Sequence, residues 1–238
     1  MQTRLIIWLI LVLFSTAAVW RISSLTDFQL VGELVDRVAT SQKVVALTFD
    51  DGPEPNKTEQ ILQILAAEQI PATFFLVGQA LERHPELAKK LLAAGHQLGN
   101  HSYSHQRMLF KSPEFIANEI EKTDALLRDV GVTGQILFRP PYGKKLLLLP
   151  WYLATHQRVA VTWDVAPENY RQIAKDSHAI VQHCLEKVQP GSIILLHVMY
   201  DSRRTTMQAV PELIRQLKAQ GYQFVTVNEL IALQTKSI

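Results

Sequence analysis

The sequence is poor in cysteine and in concentrated charge, and each shortage narrows the class of protein. Cys184 is the only cysteine in 238 residues, so the chain cannot form an internal disulfide, and cysteine usage does not indicate a redox compartment. The net charge is only +2, and no long basic block is interleaved with aromatic residues, which argues against nucleic acid as a partner. The sequence also lacks internal repeats and low-complexity segments. Its 47% hydrophobic and 19% charged residues are typical of a globular protein.

The N-terminus contains an uncharged apolar run. Leu5 to Trp20 has no charged residue and lies between Arg4 and Arg21. The run is slightly shorter than the roughly 20 residues of a usual membrane-spanning helix. Two interpretations stay open: an uncleaved signal anchor with Trp20 and Arg21 at the interface, or a signal peptide cleaved near Ser15-Thr16-Ala17. Both predict that residues 1–21 direct the rest of the chain out of the cytoplasm, anchored or secreted, into the periplasm or cell envelope if the protein is bacterial.

The remaining sequence alternates between strand-like and helix-like segments. Residues 22–42 form a mixed polar connector with a short strand or amphipathic piece expected at Phe28–Val31. The strand-like segments are 43–49, 72–77, 97–100, 136–139, 158–163, 192–197 and 223–227. The helix-like segments are 56–68, 85–94, 113–130, 146–155, 177–188 and 206–219, with a short one from 229. About seven β-then-α units predict one α/β domain over 43–238, with parallel strands closed as a barrel.

Asp50 and Asp51 are adjacent carboxylates at the end of the first strand of this domain. Buried carboxylates repel each other and lose hydration, so a cation is expected beside them. A metal ion is the simplest candidate, with one aspartate as ligand and the other free as a base. The structural alternative is a strand-ending turn, in which an aspartate side chain bonds the following backbone N–H groups.

His101 and His105 follow the third strand of the domain. If the segment coils into a helical turn, residues four apart share a face and converge on one metal. Taken singly, each would more often be a surface or hydrogen-bonded histidine. In a parallel barrel the strand ends meet at one rim, where active sites form. Asp51, His101 and His105 then make a three-ligand set with room for water, suited to Zn²⁺ or to Co²⁺, Ni²⁺ or Mn²⁺.

The fourth and sixth strands end in further reactive residues. Arg139 could orient the Asp50 carboxylate, and the turn Pro140–Gly143 could aim a peptide N–H at an oxyanion. A rigid loop with a surface arginine is the alternative. His197 ends an aliphatic strand and is either a satisfied core histidine or a proton donor, and its rim position favours the donor. Leu195 points to the same face and could line a small apolar pocket.

Four short motifs occur in order between residues 42 and 232. They are Thr48–Gly52 (TFDDG), His101-Ser102-x-x-His105, Arg139–Tyr142 (RPPY) and Leu195-x-His197. Together they resemble the motifs of the polysaccharide deacetylase family, also called the NodB-homology domain or carbohydrate esterase family 4. The resemblance implies a distorted (β/α) barrel that uses a divalent metal to remove N-acetyl groups from amino-sugar polymers such as peptidoglycan or chitin.

The resemblance also implies a role for each motif residue. Asp50 would be the general base and His197 the general acid. The implied metal ligands are Asp51, His101 and His105. Arg139 would tether Asp50, Tyr142 would lend its backbone N–H to the oxyanion, and Leu195 would line the acetyl pocket. No covalent intermediate is needed, and no nucleophilic serine or cysteine is evident.

The sequence departs from the family after the fifth strand. The family commonly has Asp-x-x-Asp-Trp where this chain has Ala166–Tyr170 (APENY). The aspartate that usually helps hold the motif arginine is therefore absent, and Asp164, on the same face of an extended strand, is expected to substitute. Trp163 and Tyr170 could form an aromatic wall for a sugar ring or could pack in the core. The Met199–Arg204 loop is expected to border the cleft.

The leading hypothesis is an extracytoplasmic, metal-dependent hydrolase acting on an N-acetylated glycan, with the membrane as a partner through the N-terminal segment. A second hypothesis keeps the chemistry and changes the substrate to a lipid-linked amino sugar or a small N-acyl compound. A third is a carbohydrate-binding pseudoenzyme. It predicts the loss of a base, an acid or a ligand, yet all of these residue types are present.

Overall fold

The structure, a computed structural model, describes residues 4, 8 and 16–234. Most of the predicted signal segment, Leu5–Trp20, lies outside the described residues, and residues 16–22 are helical. Within the part of the chain that the structure describes, no helix is both long enough and apolar enough to cross a membrane.

Seven strands in the described residues form the centre of the domain. They are β1 (Leu34–Val35), β2 (Val44–Asp50), β3 (Thr73–Leu76), β4 (Gln97–Asn100), β5 (Ala160–Val161), β6 (Ile193–His197) and β7 (Gln223–Phe224). Every ladder between them is parallel. β2 is central and pairs with β3, β6 and β7, β4 lies beyond β3, and β1 pairs with β5. The predicted α/β class with parallel strands is confirmed.

Regular strand pairing does not run round a complete barrel. The ladders form a five-stranded sheet and a separate two-stranded one. Single-residue bridges connect them: Phe138 bridges both Asn100 and Ala160, and Val165 bridges Ile194. The barrel of strands is therefore closed only by isolated bridges, which lie on the side of β5.

The strand predicted at 136–139 is reduced to one bridge residue, Phe138. Its N–H donates to Val159 O at 3.1 Å, and Arg139 N–H donates to Asn100 O at 2.9 Å. The next two residues are prolines, which have no N–H to extend the ladder. The strand predicted at 158–163 is correspondingly short, since β5 has two residues.

Eight helices within the described residues surround the strands. They are α1 (Lys57–Glu68), α2 (Gly78–Arg83), α3 (Pro85–Ala93), α4 (Pro113–Asp129), α5 (Leu148–Thr155), α6 (Ser177–Lys187), α7 (Arg204–Ala219) and α8 (Val227–Gln234). All but α2 were predicted. The helix α2 has six residues, which is fewer than two helical turns. A segment this short shows no recognisable helical period of apolar residues. α4 begins as expected, because Ser112 Oγ accepts from Phe115 N–H and Pro113 occupies the first turn.

The connector at residues 22–42 joins the domain through a strand at a different position from the one predicted. No strand forms at Phe28–Val31, so the strand alternative for that segment is wrong. The strand follows Gly32 instead, at Leu34–Val35, and pairs with β5. Gly32 has φ 80° and packs so closely on α5 that a Cβ there would lie 2.9 Å from Ala154 Cβ. Val38, buried further along, belongs to the core inside the strands.

Alternation along β2 separates the two cores and directs Asp50 inward. One set of β2 side chains packs beneath the helices: Val45, Leu47 and Phe49. Val44 and Ala46 pack inside the barrel with residues of β5 and β6. Thr48 and Asp50 continue that inner face because side chains alternate with a period of two. Asp51 then leaves the strand in a left-handed conformation with φ 72°.

Candidate active site

Asp50 lies at the carboxyl end of β2 and is paired with Arg139. Arg139 Nη1 donates to Asp50 Oδ1 at 2.7 Å, and the arginine is fully buried. Burial alone would raise the pKa of Asp50, but the charges of Arg139, His101 and His197 and the Arg139 hydrogen bond outweigh it and hold that pKa below its ordinary value of 3.8. Asp50 is therefore held as a carboxylate.

Arg139 is supported by neighbouring strands and an aromatic ring. Its Nη1 also donates to Thr48 Oγ1 at 2.8 Å, and its Nη2 donates to Thr162 O at 3.0 Å. The guanidinium lies 4.0 Å from the centre of the Phe75 ring. These contacts orient the arginine without a second carboxylate.

Asp164 does not support Arg139, so that prediction is wrong. Its Oδ2 accepts from Ser192 Oγ at 2.7 Å, and its Oδ1 accepts from Ile193 N–H at 2.8 Å. The alternation used to place it assumed an extended strand through position 166, but β5 ends at Val161. Asp164 therefore turns to the start of β6 and holds that strand in place.

Asp51, His101 and His105 form a cluster with the geometry of a metal site. Their ligand atoms all lie within 4.8 Å of one another. His105 Nε2 is 3.4 Å and His101 Nε2 is 4.0 Å from Asp51 Oδ1. That oxygen is buried and has no hydrogen-bond partner among the described residues. A buried carboxylate oxygen without a donor is costly, and a cation at this point would satisfy it.

Burial prepares His105 as a neutral ligand, and a backbone carbonyl orients the ring of His101. Burial lowers the pKa of His105 to about 4, and repulsion from His101 adds to the effect. His101 Nδ1 lies 2.8 Å from Arg139 O, so Nδ1 can donate to this carbonyl and leave the Nε2 lone pair for a metal. One carboxylate and two imidazoles suit Zn²⁺ and other first-row divalent metals. The residues present therefore fit the expected cofactor.

The histidines converge through a hydrogen-bonded turn and not through the helical turn that was expected. Residues 101–108 contain no helix. Asn100 Oδ1 accepts from Ser102 N–H at 2.8 Å, and Ser102 Oγ accepts from His105 N–H at 3.0 Å. Ser102 and His105 both have positive φ, 65° and 56°. Side-chain bonds from Asn100 and Ser102 thus replace the backbone ladder of a helix.

His197 is held by a carboxylate that the sequence analysis missed. Its Nδ1 is 2.6 Å from Glu168 Oε2, which also accepts from the His197 N–H at 2.9 Å. Thr206 Oγ1 donates to Glu168 Oε1 at 2.6 Å. Burial would lower the pKa of His197, but the Glu168 hydrogen bond and the charges of Asp50, Glu168 and Asp51 raise it. The imidazole is thus stabilised as an acid.

Glu168 lies within the segment where the chain departs from the family pattern, APENY. It is the acidic residue of that segment and follows Pro167, the first residue of a short 3₁₀ turn, Pro167–Asn169. The sequence contains one signal for this role of Glu168. The segment lacks both family aspartates but keeps an acidic side chain. Strand alternation points instead to Asp164, which binds Ser192 and Ile193.

A cleft of about 400 Å³ brings most of the predicted residues together. The predicted residues that line it are Asp50, Asp51, His101, His105, Tyr142, Trp163, Leu195 and His197. It is also lined by Asn169, Tyr200 and Arg203. Tyr200 and Arg203 belong to the loop expected to border the cleft. Tyr170 does not line the cleft: it is about half exposed, and its ring centre is 4.9 Å from that of His183 on α6.

Tyr142 lies at the mouth of the cleft in a left-handed conformation with φ 58°. Its ring centre is 4.7 Å from that of His105, and the Arg107 guanidinium lies 4.4 Å from the Tyr142 ring centre. The two prolines before it restrict the backbone. The turn therefore holds the Tyr142 side chain beside the metal cluster.

Comparison with known proteins agrees with this arrangement. Residues 37–154 match the family model described as polysaccharide deacetylase. A peptidoglycan-N-acetylglucosamine deacetylase of Bacillus cereus is 35% identical over 202 residues, which cover 84% of this chain and 93% of that protein. The chain belongs to the polysaccharide deacetylase family.

Other members of the polysaccharide deacetylase family differ in length and in the sugar that they are named for. The peptidoglycan-N-acetylmuramic acid deacetylase PdaC of Bacillus subtilis is 36% identical over 196 residues. The match covers 82% of this chain but only 40% of PdaC. The family relation therefore leaves the sugar to be proposed.

Solved structures of the family include active and inactive proteins. The Bc1960 peptidoglycan N-acetylglucosamine deacetylase has a TM-score of 0.77 at 31% identity, covering 83% of this chain and 92% of that one. BA3943, a CE4 family pseudoenzyme from Bacillus anthracis, has a TM-score of 0.74 at 27% identity, covering 84% and 69%. Fold similarity alone thus does not establish activity, and the site residues carry that argument.

Proposed function

We propose that this polysaccharide deacetylase family member is a metal-dependent hydrolase that removes N-acetyl groups from the amino sugars of a peptidoglycan-like polymer. One observation carries the proposal. Asp50 with its arginine, the Asp51–His101–His105 cluster and His197 with its glutamate all face one cleft. A binding protein needs none of these paired titratable groups.

Asp51, His101 and His105 would hold a divalent metal, which supplies Lewis-acid polarisation and lowers the pKa of water. Asp50 accepts the proton of the attacking water as general base. Arg139 keeps Asp50 ionised and fixes the direction of its free oxygen Oδ2, which faces His101 at 3.4 Å.

His197 is the proposed general acid for the leaving amine. Its Nδ1 is engaged by Glu168, which leaves Nε2 as the proton donor toward the substrate. The Tyr142 N–H would stabilise the oxyanion. Leu195 and Trp163, both at the cleft wall, would contact the acetyl methyl and the sugar ring.

The finer assignments follow from chemistry and from the sequence. Zn²⁺ is the proposed metal because two imidazoles and one carboxylate are a common catalytic zinc set. The proposed location is outside the cytoplasm, because the relatives named above are peptidoglycan deacetylases and the chain has an apolar N-terminal run. That run is the proposed membrane anchor.

The test measures acetate release from peptidoglycan and from N-acetylglucosamine oligomers, with and without a chelator, for the wild type and for Asp50→Asn. We expect release that a chelator abolishes and that added Zn²⁺ restores. Activity that survives both chelation and the substitution would contradict the mechanism. Elemental analysis of the purified protein tests the metal.

A carbohydrate-binding pseudoenzyme is the second candidate, since BA3943 has this fold and is named a pseudoenzyme. It predicts glycan binding by calorimetry without acetate release, even after loading with Zn²⁺. The two outcomes separate the candidates in one set of samples.

A further inference from the structure

An exposed apolar face lies beside the cleft, on the side of α5. Six of its large hydrophobic side chains are between 44% and 82% exposed: Trp20, Phe28, Leu30, Phe110, Leu147 and Trp151. Exposed apolar groups are ordinary when scattered singly, but a contiguous patch marks an interaction surface.

The helix at residues 16–22 meets the rim of the cleft at one end of this face. Trp20 and Phe110 line one shallow apolar groove. Lys144 Nζ lies 3.5 Å from the Trp20 ring centre. Lys144 donates to Ser24 Oγ, and Lys145 N–H donates to Ser23 O at 3.0 Å. These contacts hold the end of the N-terminal segment against the start of the α5 region.

The other end of the face lies along α5. Leu147 immediately precedes this helix, and its carbonyl accepts from Trp151 N–H at 2.9 Å, so the two residues lie one turn apart. Ala154 lies one turn further, where it contacts Gly32. The segment that contains Phe28 and Leu30 immediately precedes Gly32, so it runs beside the same stripe. The six side chains therefore belong to segments that contact one another.

Phe110 provides a separate observation. It is 82% exposed, and its φ is 54°, a conformation that bulky residues rarely adopt. The backbone is strained and the strain directs an aromatic ring into solvent. Neither feature is favourable in water alone, whereas a covering apolar phase would stabilise the exposed ring.

Charge and sequence continuity indicate what covers the face. In the segments that build it, 16–33, 106–111 and 142–151, the solvent-accessible charged residues are three basic ones (Arg21, Arg107 and Lys111) and two acidic ones (Asp27 and Glu33), while Lys144 and Lys145 are buried. Tryptophan with flanking cations is typical of the interface of an anionic bilayer. The uncharged run Leu5–Trp20 also leads directly into the face. We propose that the apolar face docks on the lipid bilayer, with Trp20, Phe110, Leu147 and Trp151 among the lipid headgroups.

Docking in this orientation brings the cleft to the membrane surface. Tyr142 lines the cleft and is two residues from Lys144, which contacts Trp20. Arg107 packs on the Tyr142 ring three residues before Phe110. A consequence, which rests on the proposed function, is a preference for an N-acetylated amino sugar carried on a lipid over the same sugar free in solution.

Single-cysteine labelling of the full chain tests the docking. Cys184 is buried and its pKa is raised to about 12 by burial, so the native thiol will not compete for the label. Trp151→Cys and Phe110→Cys place an environment-sensitive fluorophore on the face. Gln63→Cys, exposed on α1, is the control, because α1 packs against α3 and α7 whereas α5 packs against α4.

The chains are reconstituted into phosphatidylcholine–phosphatidylglycerol vesicles with and without brominated acyl chains. We expect at least a twofold loss of emission from the face labels on brominated lipid and no change from Gln63→Cys. All variants carry the same N-terminal segment, so attachment through that segment alone cannot produce the contrast. Equal behaviour of all three labels would overturn the proposal. A shift that appears in detergent without vesicles, together with a doubled mass, would assign the face to a second copy and also overturn it.

A double variant, Leu147→Asp with Trp151→Asp, tests the consequence for activity. We expect unchanged acetate release from soluble oligomers and about tenfold less from an N-acetylglucosaminyl lipid embedded in vesicles. Equal losses on both substrates would indicate a folding defect and contradict the docking role. Wild-type inactivity on both substrates would reject the proposed function, while the labelling result would still decide the docking surface.

Discussion

The two sides of the cleft hold their titratable groups by opposite means. On one side, Asp50 is buried beside the fully buried Arg139 at 2.7 Å. On the other, His197 is bound by the Glu168 carboxylate at 2.6 Å. The cation lowers the pKa of the carboxylate, and the carboxylate raises the pKa of the imidazole. In each case the opposing effect of burial is outweighed by the partner's charge and hydrogen bond acting together with the other charges of the cleft.

This difference assigns a base and an acid in one cleft. Two groups whose environments push their protonation preferences apart can accept and donate protons at the same pH. The side with Asp50 matches the family motifs, whereas the side with Glu168 lies where the chain departs from them. A segment that departs from the family pattern therefore still supplies a carboxylate to the site, although this carboxylate binds His197 and not Arg139.

Removing the base should have the largest effect. Asp50→Asn is expected to lower kcat about 10²–10⁴-fold, because an amide cannot accept the proton. Acetate release measures this loss. Metal content should be retained, because the three ligands are unchanged. The variant also leaves Arg139 buried without its counter-charge, which costs about 3–5 kcal/mol of stability, so thermal unfolding is measured in parallel.

Asp201→Asn is the matched control for this variant. Asp201 is exposed, pairs with Lys57 at 2.8 Å and lies outside the cleft. Its substitution should leave kcat unchanged. If Asp50→Asn kept more than a tenth of wild-type activity, Asp50 would not be the base.

Removing the Glu168 carboxylate from His197 should change the pH profile of activity as well as the rate. Glu168→Gln is expected to reduce kcat by roughly 10–100-fold, because the general acid loses its orienting charge. Glu168 raises the pKa of His197, and the acid must be protonated, so the wild type loses activity as pH rises through that raised value. The variant should lose activity at a lower pH. A pH profile of kcat/KM measures the shift.

The control is Glu186→Gln, at an exposed position of α6 away from the cleft. It should leave the profile unchanged. A Glu168→Gln profile with an unmoved basic limb would mean that Glu168 supports only the fold.

Tyr200→Phe should have a smaller effect, on the metal cluster. Tyr200 lines the cleft with Asp51, and burial and the charge of Asp51 raise the pKa of Tyr200, so its hydroxyl is a neutral outer-shell neighbour of the ligand. Loss of an outer-shell partner typically weakens metal affinity by about 10-fold or more. Competition with a chromogenic chelator measures this. Tyr170→Phe, outside the cleft, should bind metal as the wild type does. Equal affinities for all three proteins would remove Tyr200 from the site.

Asp164→Asn should have the smallest effect on catalysis. We expect kcat/KM within about threefold of the wild type, because Asp164 bonds β6 and not Arg139. Stability should fall by about 1 kcal/mol for the hydrogen bond that an amide cannot replace. A loss of activity close to that of Asp50→Asn would restore the original expectation for Asp164.

The positions of the main site residues followed from strand ends alone. Asp50, Asp51, His101 and His197 all end strands or follow them directly, and the carboxyl ends of parallel strands meet at one edge. The register supports this, since Asp50 pairs with His197 across β2 and β6. Local sequence pattern was sufficient to predict these positions, because each residue is positioned by the strand that it ends or follows.

Contacts made by irregular segments could not be predicted in this way. The His101–His105 turn depends on bonds from Asn100 and Ser102, and Tyr170 turns outward after a 3₁₀ turn. Side chains in such irregular segments do not alternate between two faces as they do in a strand. The alternation that places Asp164 beside Arg139 therefore fails, because β5 ends at Val161.

The order of strands and helices and the reactive residue types at the strand ends can be predicted from local pattern, because β and α periodicities are local. The partners of Arg139, the carboxylate that orients His197 and the members of the apolar face depend on tertiary packing. Glu168 and His197 are 29 residues apart, and Arg139 and Asp50 are 89 apart. Such contacts depend on how the irregular ends of several strands pack together, which no local pattern encodes.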